Sequence, residues 1–553
     1  MNRATREHTL WFGLVVVAAL LRLIRLDVPL DNHEALGALE ALAHLDGRPA
    51  VLVVPLHGAL QASLFGLFGA SDVVARLPSA LAGVMVVALP WLWRDALGRW
   101  GAWCMGVVLA ISPTLWFASR LADGALPAWT LALATWALAR REVSSKRAAA
   151  LSAGLVGALL ACGQAAPFPL LGLMMALALD GRLLALLRHP GFGPTVVLAF
   201  VVASTLGLWR WQGLGDAFTG YLAWLAGWSA PLQLSAMRLL GGVLLAEPLI
   251  LTTALAGCRM LRDQRAWLAW IAVGALTVLF YPARSATCAV PLVVGLAACA
   301  AYVGEELVAT AVQAQKVVAP ESLALSGVGF GFAALSGLLF ASSGRAEWLF
   351  AVPIAAALAL LAVLVGALQE QIGAAWRGVL GAALAWLGTY TVGVGARMAW
   401  WEANNPAEPY RSEAVVAPSL AALRDTLDAL SEQALGDRRA LRVQLPEVAP
   451  PTLRWQLRER ILTEPPTPTT WQRALLLATG NVPPPGAWVG HAFDVHMSQP
   501  LGGLGCDPLS SGLLHCWPLA RWVALRQADG EVQRVRWTLW VSPELLARAA
   551  GRP

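Results

Sequence analysis

The stretch PLDNHEALGALEALAHL, residues 29–45, lies between apolar runs long enough to cross a bilayer, and it sets the frame for the rest of the chain. Ahead of it, Met1-Asn-Arg-Ala-Thr-Arg leads into an apolar run from Thr9 to about Leu21, closed by Arg22 and Arg25. No small-residue cleavage site follows, so this reads as an uncleaved first span. From Glu34 onward the stretch has helical periodicity. Leu36, Leu39, Ala43 and Asp46 share one side, and His33, Gly37, Glu40 and His44 form a polar stripe. Such a helix between two spans is expected to lie flat on the membrane surface. Its polar face is either simply solvated, or it carries chemistry, with Asp31 and Glu34 at the helix start as catalytic carboxylates.

Composition agrees with this frame. The 553 residues are 58% hydrophobic and 13% charged, with a mean hydropathy of +0.61, too little charge to clothe a soluble surface of that size. A net charge of +6 could suggest nucleic acid, but the arginines fall singly between apolar runs and form no basic face, so nucleic acid is not an expected partner and membrane lipid is. Further apolar runs begin near Leu77, Trp100, Gly124, Ala148, Phe168, Pro194, Leu239, Ala266, Ala286, Leu323, Trp348 and Val379. With the first, they predict a mostly α, polytopic membrane protein of about thirteen spans. Alternate loops carry Arg94 and Arg99, then Arg140, Arg141, Lys146 and Arg147, then Arg182 and Arg188, then Arg259, Arg262 and Arg265. Positive loops stay inside, so the N-terminus is expected in the cytoplasm and everything after Arg397 outside it.

Hydropathy collapses at Trp401-Glu-Ala-Asn-Asn-Pro. This divides the chain into a membrane domain of residues 1–400, whose first outer loop spans 27–76 with interfacial helices, and an extracytoplasmic α/β domain of residues 401–553. In the second domain Leu420, Leu423, Leu427 and Leu430 predict an amphipathic helix, and Leu441, Val443 and Leu445 alternate as a strand. Trp522 to Arg526 and Val535 to Val541, flanking Asp529-Gly530, predict a hairpin. Cys506 and Cys516 are its only cysteines, in a compartment that permits oxidation, so a disulfide between them is expected. His491, Asp494, His496 and His515 lack the ligand spacing of a metal site and read as ordinary surface polar residues; no cofactor is expected, and the sequence leaves a metal requirement open. Cys104, Cys162, Cys258, Cys288 and Cys299 read as small apolar residues of the spans.

The order of motifs after the first span is more specific. An acidic pair, Asp31 and Glu34, is followed by a His-containing turn, Val53-Val-Pro-Leu-His57-Gly58. Then comes Ser71-Asp72-Val-Val-Ala-Arg76-Leu-Pro entering the second span, and Ser112-Pro-Thr followed by Ser119-Arg120 after the third. This order resembles the GT-C glycosyltransferases, which take sugar from a polyprenyl-phosphate donor, such as the protein O-mannosyltransferases and lipid A aminoarabinose transferases. Within them it is most similar to the flippase-activity-associated membrane proteins, through His57-Gly58-Ala59, Pro451-Thr-Leu-Arg-Trp455-Gln-Leu-Arg458 and Leu245-Ala-Glu247-Pro. The resemblance implies a plasma-membrane transferase whose partner is a polyprenyl-phosphate sugar lipid. It implies Asp31, Glu34 and His33 as the catalytic group, with His57, Asp123 and Glu247 lining the substrate site. Arg76, Arg120 and Arg284 are the cations placed for a phosphate, each of which can equally be an arginine facing lipid headgroups.

The chain also departs from the family pattern. His33-Glu34-Ala35 stands where the family has Asp-Glu-Ala, Asp123 falls two positions early after Ser119-Arg120, and a Gly-Glu-Lys stretch is replaced by Tyr281-Pro-Ala-Arg284. Two functions fit this pattern. One is an active glycosyltransferase acting on an extracytoplasmic acceptor; the other is a non-catalytic GT-C-fold protein that binds or scaffolds lipid-linked sugar. They differ in whether a carboxylate and a cation converge on one outward cavity.

Overall fold

The computed structural model of the chain describes residues 3–142, 145–232, 234–259, 264–313, 319–369, 371–411, 414–446, 448–461, 473–478, 488–499, 517–528 and 530–551. Each of the thirteen apolar runs begins within a helix or at its first turn. The chain opens with α1 (Arg3–Leu23), followed by two helices of the first outer loop, α2 (Asn32–Leu45) and α3 (Pro55–Phe68), and by α4 (Asp72–Ala88). Where the sequence reading expects about thirteen spans, five stretches among the described residues are individually long and apolar enough to cross a membrane: Asp72–Leu97, Ala286–Val308, Pro320–Ser343, Ala346–Leu368 and Ile372–Trp401. Two further pairs pass together but are sharply bent, Lys146–Leu160 with Gly163–Leu179 by 113° and Ala236–Ala246 with Pro248–Gly257 by 85°. Pro167 and Pro248 stand at the first position of the helix after each break. Proline is tolerated there because the first turn has no use for its missing N–H. The protein is therefore an integral membrane protein.

Contacts between the ends of the spans sort the loops into two faces. On one, Arg99 pairs with Glu7 at 3.0 Å, Arg140 with Asp180 at 3.5 Å and Arg141 with Asp95 at 3.8 Å, and Arg140 Nη2 donates to Gln264. The N-terminal turn and the arginine-bearing loops thus meet. Behind them Trp93, Trp136 and Trp267 pack with ring centroids 4.6–5.3 Å apart, a range in which edge-to-face contacts are favourable. On the opposite face lie the loop after α1, the 119–125 loop, Tyr281–Ser285 and the described residues after Trp401.

Residues 414–551 form a separate core beneath a five-stranded sheet. Its strands are β1 (Val415–Val416), β2 (Arg442–Gln444), β3 (Arg473–Ala478), β4 (Val489–Ser498) and β5 (Gln533–Val541), in the order β1-β4-β5-β3-β2, with only the β2–β3 pair parallel. Helix Ser419–Leu435 buries Leu420, Leu423 and Leu427 against Val443, Phe493, Val495, Trp537 and Leu539, as its spacing predicts. The expected hairpin is corrected: Trp522 to Arg526 belong to the end of a helix, Trp517–Leu525, and β5 instead pairs antiparallel with β4. Tertiary packing decides this, because Trp522 is buried with its Nε1 donating to the Ala407 carbonyl at 2.9 Å and Trp517 Nε1 reaches Ala341 O at 3.0 Å. Cys506, Cys516 and His515 lie outside the described residues. Among the described residues no cluster of three metal-ligating side chains occurs; Asp494 is held by Arg534 and Arg536, and His496 is buried in the sheet.

Candidate functional site

The site grows from the start of α2. Asp31 is its N-cap: Oδ1 accepts the Glu34 N–H at 2.9 Å, and Glu34 Oε2 accepts the Asp31 N–H at 3.1 Å, a reciprocal capping box. Capping turns the Glu34 side chain inward. There Arg76 of α4 grips it with two parallel bonds, Nε to Oε1 at 3.0 Å and Nη2 to Oε2 at 2.7 Å, and the Ala122 N–H adds a bond to Oε1 at 2.7 Å. Arg76 also donates to the carbonyls of Leu26, Val28 and Pro29. Both partners are buried, 2% and 3% exposed. Burial alone would raise the Glu34 carboxyl, but the Arg76 charge and these hydrogen bonds hold it below the usual range. All four Glu34 acceptor positions are thereby committed, which makes it the tie between the first outer loop, α4 and the 119–125 loop.

The buried side of α2 differs from the expected leucine face. Ala35, Ala38 and Ala41 face inward against α3 and Trp455, while Leu36 is 48% exposed. Small residues let neighbouring helices approach closely, so α2 is held in place rather than floating at the interface. Its polar stripe, with His33, Gly37 and Glu40, faces a cavity of about 350 Å³. This cavity is also lined by Asp31, His57, Asp123, Gln164, Trp129, Phe168, Trp224, Tyr281 and, from the far end of the membrane domain, Tyr410 and Arg411.

Three separate segments thus meet at one cavity. His57 on α3 is 5% exposed and neither ring nitrogen has a hydrogen-bond partner; burial pushes it down to about 4, so the ring is neutral at physiological pH. Gly124 makes its approach possible, since a Cβ there would stand 2.3 Å from Val54 Cγ1 and 3.1 Å from His57 Cβ. Asp123, beside it, caps the next helix by accepting the Ala125 N–H at 3.1 Å, and burial, partly offset by His33, raises it to about 6. Glu40 rises to about 7, mainly by burial.

The three expected phosphate cations are placed differently. Arg76 is paired to Glu34. Arg120 donates to the carbonyls of Arg22, Ile24 and Arg25, and Arg284 to those of Tyr281, Leu234 and Leu279, so both brace backbone; Arg284 does not line the cavity. Glu247 also stands behind the wall, where Oε1 accepts Ser112 Oγ at 2.5 Å and the Thr114 N–H at 2.9 Å. Thr114 Oγ1 in turn meets Tyr410 OH at 2.8 Å.

Among the described residues, Arg411 is the one arginine or lysine lining the large cavity. Its Nη1 lies 3.6 Å from Asp31 Oδ2, its Nη2 donates to Ala403 O at 2.6 Å and its guanidinium rests 5.6 Å from the Phe117 ring centroid. Sequence reasoning missed it because it sits just beyond the last span, nearly the full length of the membrane domain from Asp31. The visible signal was a lone arginine after Pro406 and Pro409, where hydropathy collapses. The strap carrying it is pinned: Arg397 pairs with Glu402, Asn405 Nδ2 donates to Arg526 O at 3.0 Å, and Arg238 Nη2 to Glu408 O at 2.9 Å. Asp72, the acid of the Ser-Asp motif, serves docking as well, accepting Trp455 Nε1 at 2.7 Å from the C-terminal domain.

No family model matches the chain, and no curated protein matches it in sequence. Solved structures do match in fold. ArnT from Cupriavidus metallidurans bound to undecaprenyl phosphate is 15% identical over 82% of this chain and 85% of that one, with a TM-score of 0.51. The apo state of the same protein matches at 15% identity, 83% and 86% coverage and 0.50. The apo oligosaccharyltransferase of Archaeoglobus fulgidus matches at 11%, 82% and 64%, and 0.43. The likeness to ArnT shows the polytopic GT-C fold that the motif order implies.

Proposed function

We propose that the chain is a membrane glycosyltransferase that moves a sugar from a polyprenyl-phosphate donor to an extracytoplasmic acceptor. The observation that carries this reading is the convergence of a carboxylate, Asp31, and a cation, Arg411, on one outward cavity. Sugar transfer needs a carboxylate to take the acceptor's proton and a cation where the departing phosphate gathers charge. Asp31 keeps Oδ2 free of hydrogen bonds, and burial, together with the Glu34 charge, raises its pKa against the pull of Arg411. A raised pKa suits a base that works near neutral pH. Neutral His57 and Asp123 are the groups for sugar hydroxyls, His33 flanks the base, and Trp129, Phe168, Trp224 and Tyr281 offer an aromatic wall. Glu34, Arg76, Arg120, Arg284 and Glu247 hold this arrangement from behind. That the similarly folded ArnT binds undecaprenyl phosphate supports the donor class.

The same reading places the N-terminus in the cytoplasm and the C-terminal domain outside, because the arginine-bearing loops share the N-terminal face. The test is transfer in proteoliposomes from a panel of undecaprenyl-phosphate sugars. Wild-type protein is expected to transfer from one of them, and Asp31→Asn to lower the rate about 10²–10⁴-fold. Binding of these lipids without transfer from any of them would instead identify a lipid-sugar-binding protein.

A further inference from the structure

The contact between Asp31 and Arg411 is an ion pair without a hydrogen bond, 3.6 Å long, and each partner is otherwise anchored by its other half. Asp31 Oδ1 is committed to the cap of α2, leaving Oδ2 toward Arg411. Arg411 Nη2 is committed to Ala403 O, its Nε is buried with no partner, and Nη1 makes no hydrogen bond. Nη1, which faces the cavity beside Asp31, therefore has N–H groups not spent on the protein and is the donor open to a phosphate oxygen. Arg411 also borders a second pocket with room for about one water, shared with Arg76 and Arg120, and of these three neighbouring arginines it is the least engaged.

We propose that Arg411 is a shared cation: in the empty cavity it holds Asp31, and on binding of a polyprenyl-linked phosphate it turns to the phosphate and leaves Asp31 Oδ2 free to act as base. This rests on the glycosyltransferase reading above and adds an order to it, with the donor uncovering the base. The acceptor hydroxyl gives its proton to Asp31 Oδ2 as its oxygen bonds to the anomeric carbon. The bond from that carbon to the phosphate oxygen breaks, and its electron pair leaves with the phosphate. The carrier phosphate passes from a singly charged diester to a monoester with a second ionisation, and Arg411 is placed to take up that added charge.

Binding of undecaprenyl phosphate to the full-length protein in nanodiscs tests this, with undecaprenol, which lacks the phosphate, as the control lipid. Asp31→Asn retains a good helix cap but releases Arg411, so it is expected to tighten undecaprenyl phosphate about three- to tenfold. Arg411→Gln is expected to weaken it at least about thirtyfold, Arg411→Lys less, and Asp31→Asn is expected to add nothing in the Arg411→Gln background. Undecaprenol should bind all variants alike. Unchanged or weaker phosphate binding in Asp31→Asn, or unchanged binding in both Arg411 variants, overturns the shared cation. Wild-type protein that shows no preference for the phosphate overturns it together with the proposed donor. The expected binding pattern without transfer from any donor leaves the shared cation standing and removes the transferase.

Discussion

Asp31 and Glu34 are three residues apart and chemically alike, yet their surroundings give them opposite work. Glu34 has every acceptor position filled and a bidentate arginine, so Glu34→Gln breaks a buried pair and is expected to cost about 3–5 kcal/mol of stability. Thermal unfolding in detergent should show it. Asp31→Asn keeps the cap and should leave the unfolding midpoint nearly unchanged while transfer falls. The pH dependences separate as well. Glu34 is held below its usual range, so its contribution to stability is present above its unfolded pKa of about 4.3 and is lost as pH falls through the lower folded value. Asp31 is raised, so the acid limb of the transfer rate should lie above the ordinary aspartate value of about 3.9, and the residual rate of Asp31→Asn should lack that limb.

At the scale of elements, the helix 113–118 and the strap 402–411 together present Tyr410 and Arg411 to the cavity. Glu247 caps the first at Thr114, Thr114 holds the Tyr410 hydroxyl, and Phe117 stacks on the Tyr410 ring at 5.5 Å beneath Arg411. Tyr410→Phe removes one buried hydrogen bond, and it should raise the apparent KM for the donor severalfold with little change in expression; a fall in kcat alone would speak against a positioning role. Much at this scale was legible beforehand. The apolar runs located helices, several of them spans, because lipid enforces helices wherever the chain crosses, and the spacing of Leu420, Leu423 and Leu427 located the amphipathic helix. The hairpin at Trp522 was misread because alternation over five residues cannot compete with the burial of Trp522 against the strap. Arg76 was legible as a partner of the first loop only in retrospect: the motif gave its place, but a cation's partner is set by three-dimensional neighbours, and here these are a carboxylate and three carbonyls rather than an open site. Arg411 carried only the weak signal of a lone arginine after Pro406 and Pro409, which names no partner.

For the whole molecule, the C-terminal domain is tied to the first outer loop by Asp72 with Trp455 and by Thr452 with Asn32 and Leu30 O, and to the membrane helices by Trp517 with Ala341 O. Its role is thus to fix the roof and the strap of the cavity, and Trp455→Ala should lower thermal stability and donor binding together by removing a buried ring and the Asp72 bond. The Cys506–Cys516 disulfide expected from the sequence is tested separately: alkylation of both thiols in native, unreduced protein would exclude it. A cytoplasm-only reporter fused after Pro553 should be silent, and activity from it would reverse the orientation of both faces. The claim that joins these scales is that a polyprenyl phosphate places its phosphate between Arg411 and Asp31. A cryo-electron microscopy map of the full-length protein in nanodiscs with undecaprenyl phosphate tests it most directly. The account predicts phosphate density within hydrogen-bonding distance of Arg411 Nη1, with Asp31 Oδ2 no longer facing the guanidinium. Density for the phosphate at another cation, or an Asp31–Arg411 pair unchanged beside an occupied cavity, would contradict it.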